Sequence, residues 1–273
     1  MAAGSGSLTF QISKTAAGFR IGILNGTAAV GALPGQNTFS AAVGQRSAGT
    51  AALLAKQDGT EVLLRKAVVE NQSLVAPIPA AGEIRLAERG VAFADAAQHW
   101  SASSVSFVTA RNLFQGMSDT AFAPNSTMTR GMLVTVLHRL EDEPSAGRSA
   151  SFSDVAQSTW YATAVSWATQ NGIVQGSDNL FLPNDPVTRE QLATFLYRYA
   201  QSVGLSTAGR SSLGNYADGA AVATWAREAM EWSVSAGLIN GKDDTHLDPK
   251  GKATRAEVAT ILERLVRRMA ASR

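Results

Sequence analysis

Apolar residues recur at helical spacing in three stretches of this chain that read alike: MTRGMLVTVLHRL over residues 128–140, VTREQLATFLYRY over 187–199 and ATRAEVATILERL over 253–265. In the second, Leu192, Phe195, Leu196 and Tyr199 fall on one face, the apolar stripe of an amphipathic helix. Each stretch supplies its own start. Thr188 is a good N-cap and Gln191, three residues on, completes a capping box; Thr254 and Glu257 repeat the arrangement. The first copy lacks the second half of the box, because Met132 follows Thr129, and Gly131 weakens its first turn by about 1 kcal/mol. Val187 can staple onto Leu192 across the cap, and Met128 onto Leu133.

A second periodic stretch precedes each of these. Residues 93–116, 152–176 and 216–241 align as an aromatic-x-Asp, a tryptophan, a helical run and a glycine turn. A shorter helix is expected from near Trp100, Trp160 or Trp225, with Trp160, Ala164, Val165, Trp167 and Ala168 on one face of the middle copy. Gly172 and Gly237 sit where a helix ends in the left-handed conformation, and Asn112 can take the same role. Pro124, Pro183 and Pro249 then stop a helix from continuing into the next. Ser/Gly-rich linkers, 141–151 and 201–214, separate the units. The three arginines that follow the threonines lie 59 and 66 residues apart, so the chain carries three related units.

Residues 8–92 follow another period. LTFQI, FRIGIL and TEVLLRKAVV read as strands, with turns at Asp58-Gly59 and at Glu70–Gln72. This predicts a small β-rich domain or part of one.

Composition narrows the function classes. The 273 residues are 45% hydrophobic and 17% charged, with a formal net charge of +2. Such a balance suits a globular chain and an anionic partner, but falls short of the basic stripe of a nucleic-acid binder. Absence of cysteine removes disulfides and thiolate metal sites. His99, His138 and His246 have no metal-ligand spacing. The apolar runs are too short to span a bilayer. The opening residues, MAAGSGSLTF, lack the basic start and long apolar stretch of a signal peptide, so a surface location would make the chain a fragment. Nucleophile elbow, zinc-helix and phosphate-loop motifs are all missing, which argues against an enzyme. Neither cofactor nor metal is expected.

Arg130, Arg189 and Arg255 carry the chemistry. A cation at a helix N-terminus opposes the macrodipole and costs a few tenths of a kcal/mol. Three in register ask for a reason. Free backbone N–H groups, the dipole and a guanidinium fork together make a carboxylate or phosphate receptor. Alternatively each arginine bridges an internal carboxylate, such as Asp95, Asp154 or Asp218, and holds a repeat together. Those aspartates also read as turn or helix-entry residues. Trp100, Trp160 and Trp225 read as core or as half-buried groove walls, Trp167 and Trp232 as core.

The combined pattern, Phe-x-Asp, Trp, Gly turn, Pro loop and Thr-Arg-x-x, resembles the S-layer homology repeats of bacterial surface proteins over residues 93–268. The usual Thr-Arg-Ala-Glu signature is intact at Thr254–Glu257 and varies to Thr-Arg-Glu-Gln and Thr-Arg-Gly-Met in the other copies. The resemblance implies a mainly α fold, a three-pronged helical bundle with pseudo-threefold symmetry after the small β-rich part. Its expected boundaries are a tail at 1–7, the β-rich part at 8–92, and repeats at 93–141, 152–200 and 215–268. It further implies an extracellular, wall-bound location and non-covalent anchoring to a secondary cell-wall polysaccharide, often through a pyruvylated sugar whose ketal carries a carboxylate. Arg130, Arg189 and Arg255 become the carboxylate-binding candidates; Asp95, Asp154, Asp218 and the tryptophans Trp100, Trp160 and Trp225 would line the grooves. The departures in the first repeat imply that fewer than three grooves function. The alternative role is a structural module of a surface layer or adhesin that associates with itself; an accessory part of a secreted carbohydrate-active enzyme ranks below it.

Overall fold

The computed structural model describes residues 8–31, 37–147 and 152–272. The expected tail at 1–7 lies outside them, as does the end of the first linker. Two units emerge. One contains the residues up to Val91 with Ser106–Asn112 and the stretch from Val266; the other contains Ala92–Val105 and Leu113–Leu265.

Among the described residues the first unit has nine strands: β1 (Leu8–Lys14), β2 (Gly18–Asn25), β3 (Ala28–Ala29), β4 (Thr38–Ala42), β5 (Thr50–Lys56), β6 (Glu61–Leu63), β7 (Val68–Glu70), β8 (Ser73–Pro77) and β9 (Gly82–Glu88). They form two antiparallel sheets, one ordered β1-β2-β9-β5-β6 with β3 on β2, the other β4-β8-β7. Alternation along β2 turns Ile21 and Ile23 inward, and they join Leu54, Ile84, Phe39 and Leu74 in one core. Between the two sheets the Phe19 and Phe39 rings pack with their centroids 5.2 Å apart.

The expected turns are present, with Gly59 at φ 84° and Asn71 and Gln72 at 48° and 63°. The single strand expected over TEVLLRKAVV breaks into β6 and β7. Leu64 and Ala67 are both buried, and two residues three apart cannot share one face of a continuous strand. The amide of Ala67 therefore turns back onto the Leu64 carbonyl at 2.9 Å. Strand β5, TAALLAK, escapes sequence reading because it is alanine-rich and buried along most of its length.

These strands overturn the expected mainly α class. Of the described residues 30% are helical and 22% are in strands, with two antiparallel sheets and six α-helices. The expectation weighted the repeats and undercounted the strands of residues 8–92, among them the alanine-rich β5.

The helices are α1 (Ala102–Ala110), α2 (Arg130–Leu140), α3 (Ala162–Gln170), α4 (Arg189–Ser202), α5 (Arg227–Ser235) and α6 (Arg255–Ala271). In the second unit each repeat packs its long helix against the short helix of the next: α2 on α3, and α4 on α5. The circle closes where Thr260 of α6 meets Ser104 of α1 at 3.1 Å. At its centre the residues just ahead of the three caps bond in a triangle. Val187 N–H donates to Met128 O (2.9 Å), Ala253 N–H to Val187 O (3.0 Å) and Met128 N–H to Ala253 O (2.9 Å). Trp167 and Trp232 are core residues, and Asn112, Gly172 and Gly237 adopt the left-handed conformation that ends a helix. Among the described residues no helix is long and apolar enough to cross a membrane.

Candidate functional site

Each of the three arginines is buried and reaches into the following repeat. Arg130 Nε donates to Phe181 O at 2.8 Å and Nη2 to Gln175 O at 3.4 Å. Arg189 makes the same pair of contacts with Leu247 O (2.7 Å) and Asn240 O (2.6 Å). Arg255 closes the circle on the first repeat through Phe122 O and Gln115 O, both at 2.8 Å. The guanidinium of Arg255 also lies over the Phe122 ring at 4.5 Å and that of Arg130 over Phe181 at 4.8 Å. Burial lowers the pKa of all three; nearby carboxylates oppose it, Asp185 for Arg130, Glu257 for Arg189 and Asp95 for Arg255.

The helix N-termini are occupied as well. The amides of Arg130 and Gly131 donate to Asp185 O and Pro183 O, those of Arg189 and Glu190 to Gly251 O and Pro249 O, and those of Arg255 and Ala256 to Ser126 O and Pro124 O. The proline loops thus meet the dipole of the neighbouring helix, which offsets the unfavourable cation. Gly131 lets α2 sit close: a Cβ there would stand 3.0 Å from Pro183 O.

Asp95, Asp154 and Asp218 grip the same loops from within their own repeats. Asp95 accepts from Phe122 and Ala123 N–H at 2.9 and 2.7 Å, Asp154 from Phe181 and Leu182 N–H, and Asp218 from Leu247 and Asp248 N–H. The amides of Phe122 and Ala123 hold the Asp95 pKa low. For Asp218 burial pushes upward, and the amides of Leu247 and Asp248 outweigh it. Residues such as Phe122 are therefore clamped twice, N–H by aspartate and C=O by arginine. The arginines do bind the repeats together, but through carbonyls of the next repeat, where sequence reasoning named the aspartates themselves.

The first-helix tryptophans, expected as core or half-buried walls, are exposed instead: Trp100 65%, Trp160 63% and Trp225 57%. Trp100 borders a cleft of about 360 Å³ with Arg189, Lys242, Glu257, Thr260 and Arg264. Arg189 and Trp100 are the two sequence-named residues it brings together; Trp160, Trp225 and the three aspartates lie outside it. Glu257 is the local counter-ion, with Lys242 Nζ at 2.5 Å and Arg189 Nη1 at 3.5 Å. Burial raises the Glu257 pKa, and the Lys242 contact, the Thr254 amide and Arg189 bring it net below the ordinary value. Lys242 and Arg264 were missed by sequence reasoning. Their signal is positional: Lys242 directly follows the turn glycine Gly241, where the other copies have Met117 and Ser177.

The S-layer homology domain profile matches residues 92–131, 151–193 and 215–259. An amylopullulanase of Thermoanaerobacterium thermosulfurigenes is 31% identical over 62% of this chain and 9% of its own length. The surface-layer 125 kDa protein of Lysinibacillus sphaericus is 28% identical over 56% of the chain and 13% of its own. A cellulosome-anchoring protein of Acetivibrio thermocellus is 29% identical over 54% and 34%. The chain spans between 9% and 34% of the length of these relatives. With three profile matches falling on the three Thr-Arg helix starts, the chain belongs to the S-layer homology family and carries three such domains in tandem.

Proposed function

We propose that the repeats anchor a bacterial surface protein to the cell wall by binding an anionic secondary polysaccharide, with the Trp100 cleft as the principal site. The observation that carries this reading is the cleft's composition: an exposed indole beside Lys242, Arg189 and Arg264, with Glu257 as the local carboxylate. An indole face stacks on the apolar face of a sugar ring, and the excess cationic charge suits a carboxylate or phosphate on it. The family assignment and the relatives named for anchoring and surface layers support the same role.

The corresponding positions in the other two copies carry less charge. Lys242 and Glu257 are replaced by Met117 and Met132 beside Arg255, and by Ser177 and Gln191 beside Arg130. The Trp100 cleft, lined by residues of all three repeats, adds a lysine on a flexible stem that the other copies lack, and binding strength is concentrated there. All three arginines donate to carbonyls and position the loops; Arg189 differs in that its Nη1 also meets Glu257 of the cleft at 3.5 Å, and the aspartates shape the loops. Trp160 and Trp225 would supply weaker sugar contacts.

The test is a pull-down with intact Gram-positive sacculi and with sacculi stripped of secondary polymer by hydrofluoric acid. Wild-type chain should bind the first and not the second. Lys242→Ala should lose about 1.5–3 kcal/mol of binding, a tenfold to hundredfold weakening, and Trp100→Ala a similar amount, both with unchanged melting temperature. Equal binding to both preparations, or full binding by these two variants, rules the reading out.

A further inference from the structure

Among the described residues strand β1 is held along one edge only. It ends the six-stranded sheet, paired with β2 from Leu8↔Asn25 to Lys14↔Phe19, and all seven of its residues are exposed. Leu8, Phe10 and Ile12 share one face and Thr9, Gln11 and Ser13 the other. Phe10 and Ile12 stand opposite Ile23 and Ile21, which are buried core. The apolar face of β1 therefore prolongs the core surface outward, with Phe10 43% and Ile12 57% exposed.

The backbone is also open. Thr15 N–H bonds Gly18 O at 2.9 Å where the hairpin begins. From there the antiparallel pattern turns the backbone groups of Thr9, Gln11 and Ser13 toward β2 and those of Leu8, Phe10, Ile12 and Lys14 away from it. The usual protections of an edge are missing: β1 has no proline and no bulge in its register, and its one charge is at the last residue.

We propose that β1 is a self-association surface, on which a second copy of this chain lays its own β1 antiparallel about a twofold axis through Gln11. The strand is complementary to itself in this register. Phe10 exchanges hydrogen bonds with Ile12 of the second copy, so the apolar faces join. Gln11 meets Gln11, and each lysine falls opposite a leucine, about 20 Å from its like charge. A strange strand would have to match that alternation; a second copy does so by symmetry. One strand per copy buries well short of the roughly 800 Å² of a standard interface, so the dimer is weak and forms where chains are crowded. This surface is separate from the polysaccharide cleft and does not depend on that reading.

Because the chain has no cysteine, single cysteines report the register. Under mild oxidation of the full chain, Gln11→Cys should cross-link at least tenfold faster than Thr9→Cys, whose partner across the twofold is Ser13. Sedimentation equilibrium should show a concentration-dependent dimer that Ile12→Lys weakens at least tenfold. Ile12 is exposed, and an unchanged melting temperature checks that the variant folds. A monomer at every concentration, equal cross-linking at positions 9 and 11, or a dimer indifferent to Ile12→Lys overturns the proposal.

Discussion

Arg255 shows how a locally unfavourable residue becomes necessary. Its guanidinium leaves water to bridge Gln115 O and Phe122 O, a fork geometry that lysine, a single point of charge, cannot reproduce. Arg255→Ala should cost about 3 kcal/mol of stability in urea titrations, since two carbonyls lose a charged donor, and Arg255→Lys should recover less than half. The opposing clamp predicts a pH dependence. The Asp95 pKa is depressed in the folded chain. Its contribution is therefore complete above the unfolded value of about 3.9 and is lost as pH falls through the lower folded value. Urea midpoints measured from pH 5 to pH 2 should fall more steeply for the wild type than for Asp95→Asn, which begins lower because its side-chain NH₂ cannot accept the second amide. Core chemistry has a visible defect among the described residues. Ser233 Oγ is buried without a hydrogen-bond partner, where the second copy has Ala168.

Single helices were the most legible level of this chain. The Thr188–Gln191 box forms in full, with both reciprocal bonds, and Glu257 accepts from Thr254 N–H at 2.8 Å while its own amide donates to Thr254 Oγ1. In α2 only half survives, Met132 N–H donating to Thr129 Oγ1 at 3.2 Å. Thr188→Ala should therefore cost about 1 kcal/mol, and Met132→Glu should gain up to about 1 kcal/mol by completing the box; differential scanning calorimetry distinguishes both. What the periodicity could not reveal is the partner. The cap of α6 leans on a loop more than a hundred residues away, and no local pattern encodes which repeat receives it. The exposed tryptophans were misread for the same reason. Trp160 fits the apolar spacing of the middle copy, yet α3 begins only at Ala162 and the indole ahead of it stays exposed. In the strands, LTFQI and FRIGIL announced themselves by alternation, while TAALLAK, buried on both sides, carried no such rhythm.

At the scale of the whole chain, the β-rich part changes the fold class and the repeats act together. Each long helix in the second unit completes its neighbour, so the three S-layer homology domains do not stand as three separable modules. Deleting residues 215–272 should expose the Gln115 and Phe122 loop of the first repeat, remote in sequence, to protease cleavage at rates at least tenfold above the full chain. Limited proteolysis followed by mass spectrometry locates the cuts; protection of that loop in the shortened chain would mean that the repeats fold independently.

The triangle of Met128, Val187 and Ala253 sets a limit of another kind. Open repeat arrays lengthen by adding a unit at an end, because each unit contacts only its neighbours and the last one leaves a free face. Here every central amide and carbonyl of the triangle already has its partner inside the set of three. A fourth copy would find no vacant position to join, and a pair would leave donor and acceptor unmatched. The repeat number is thus matched to the closure of the triangle.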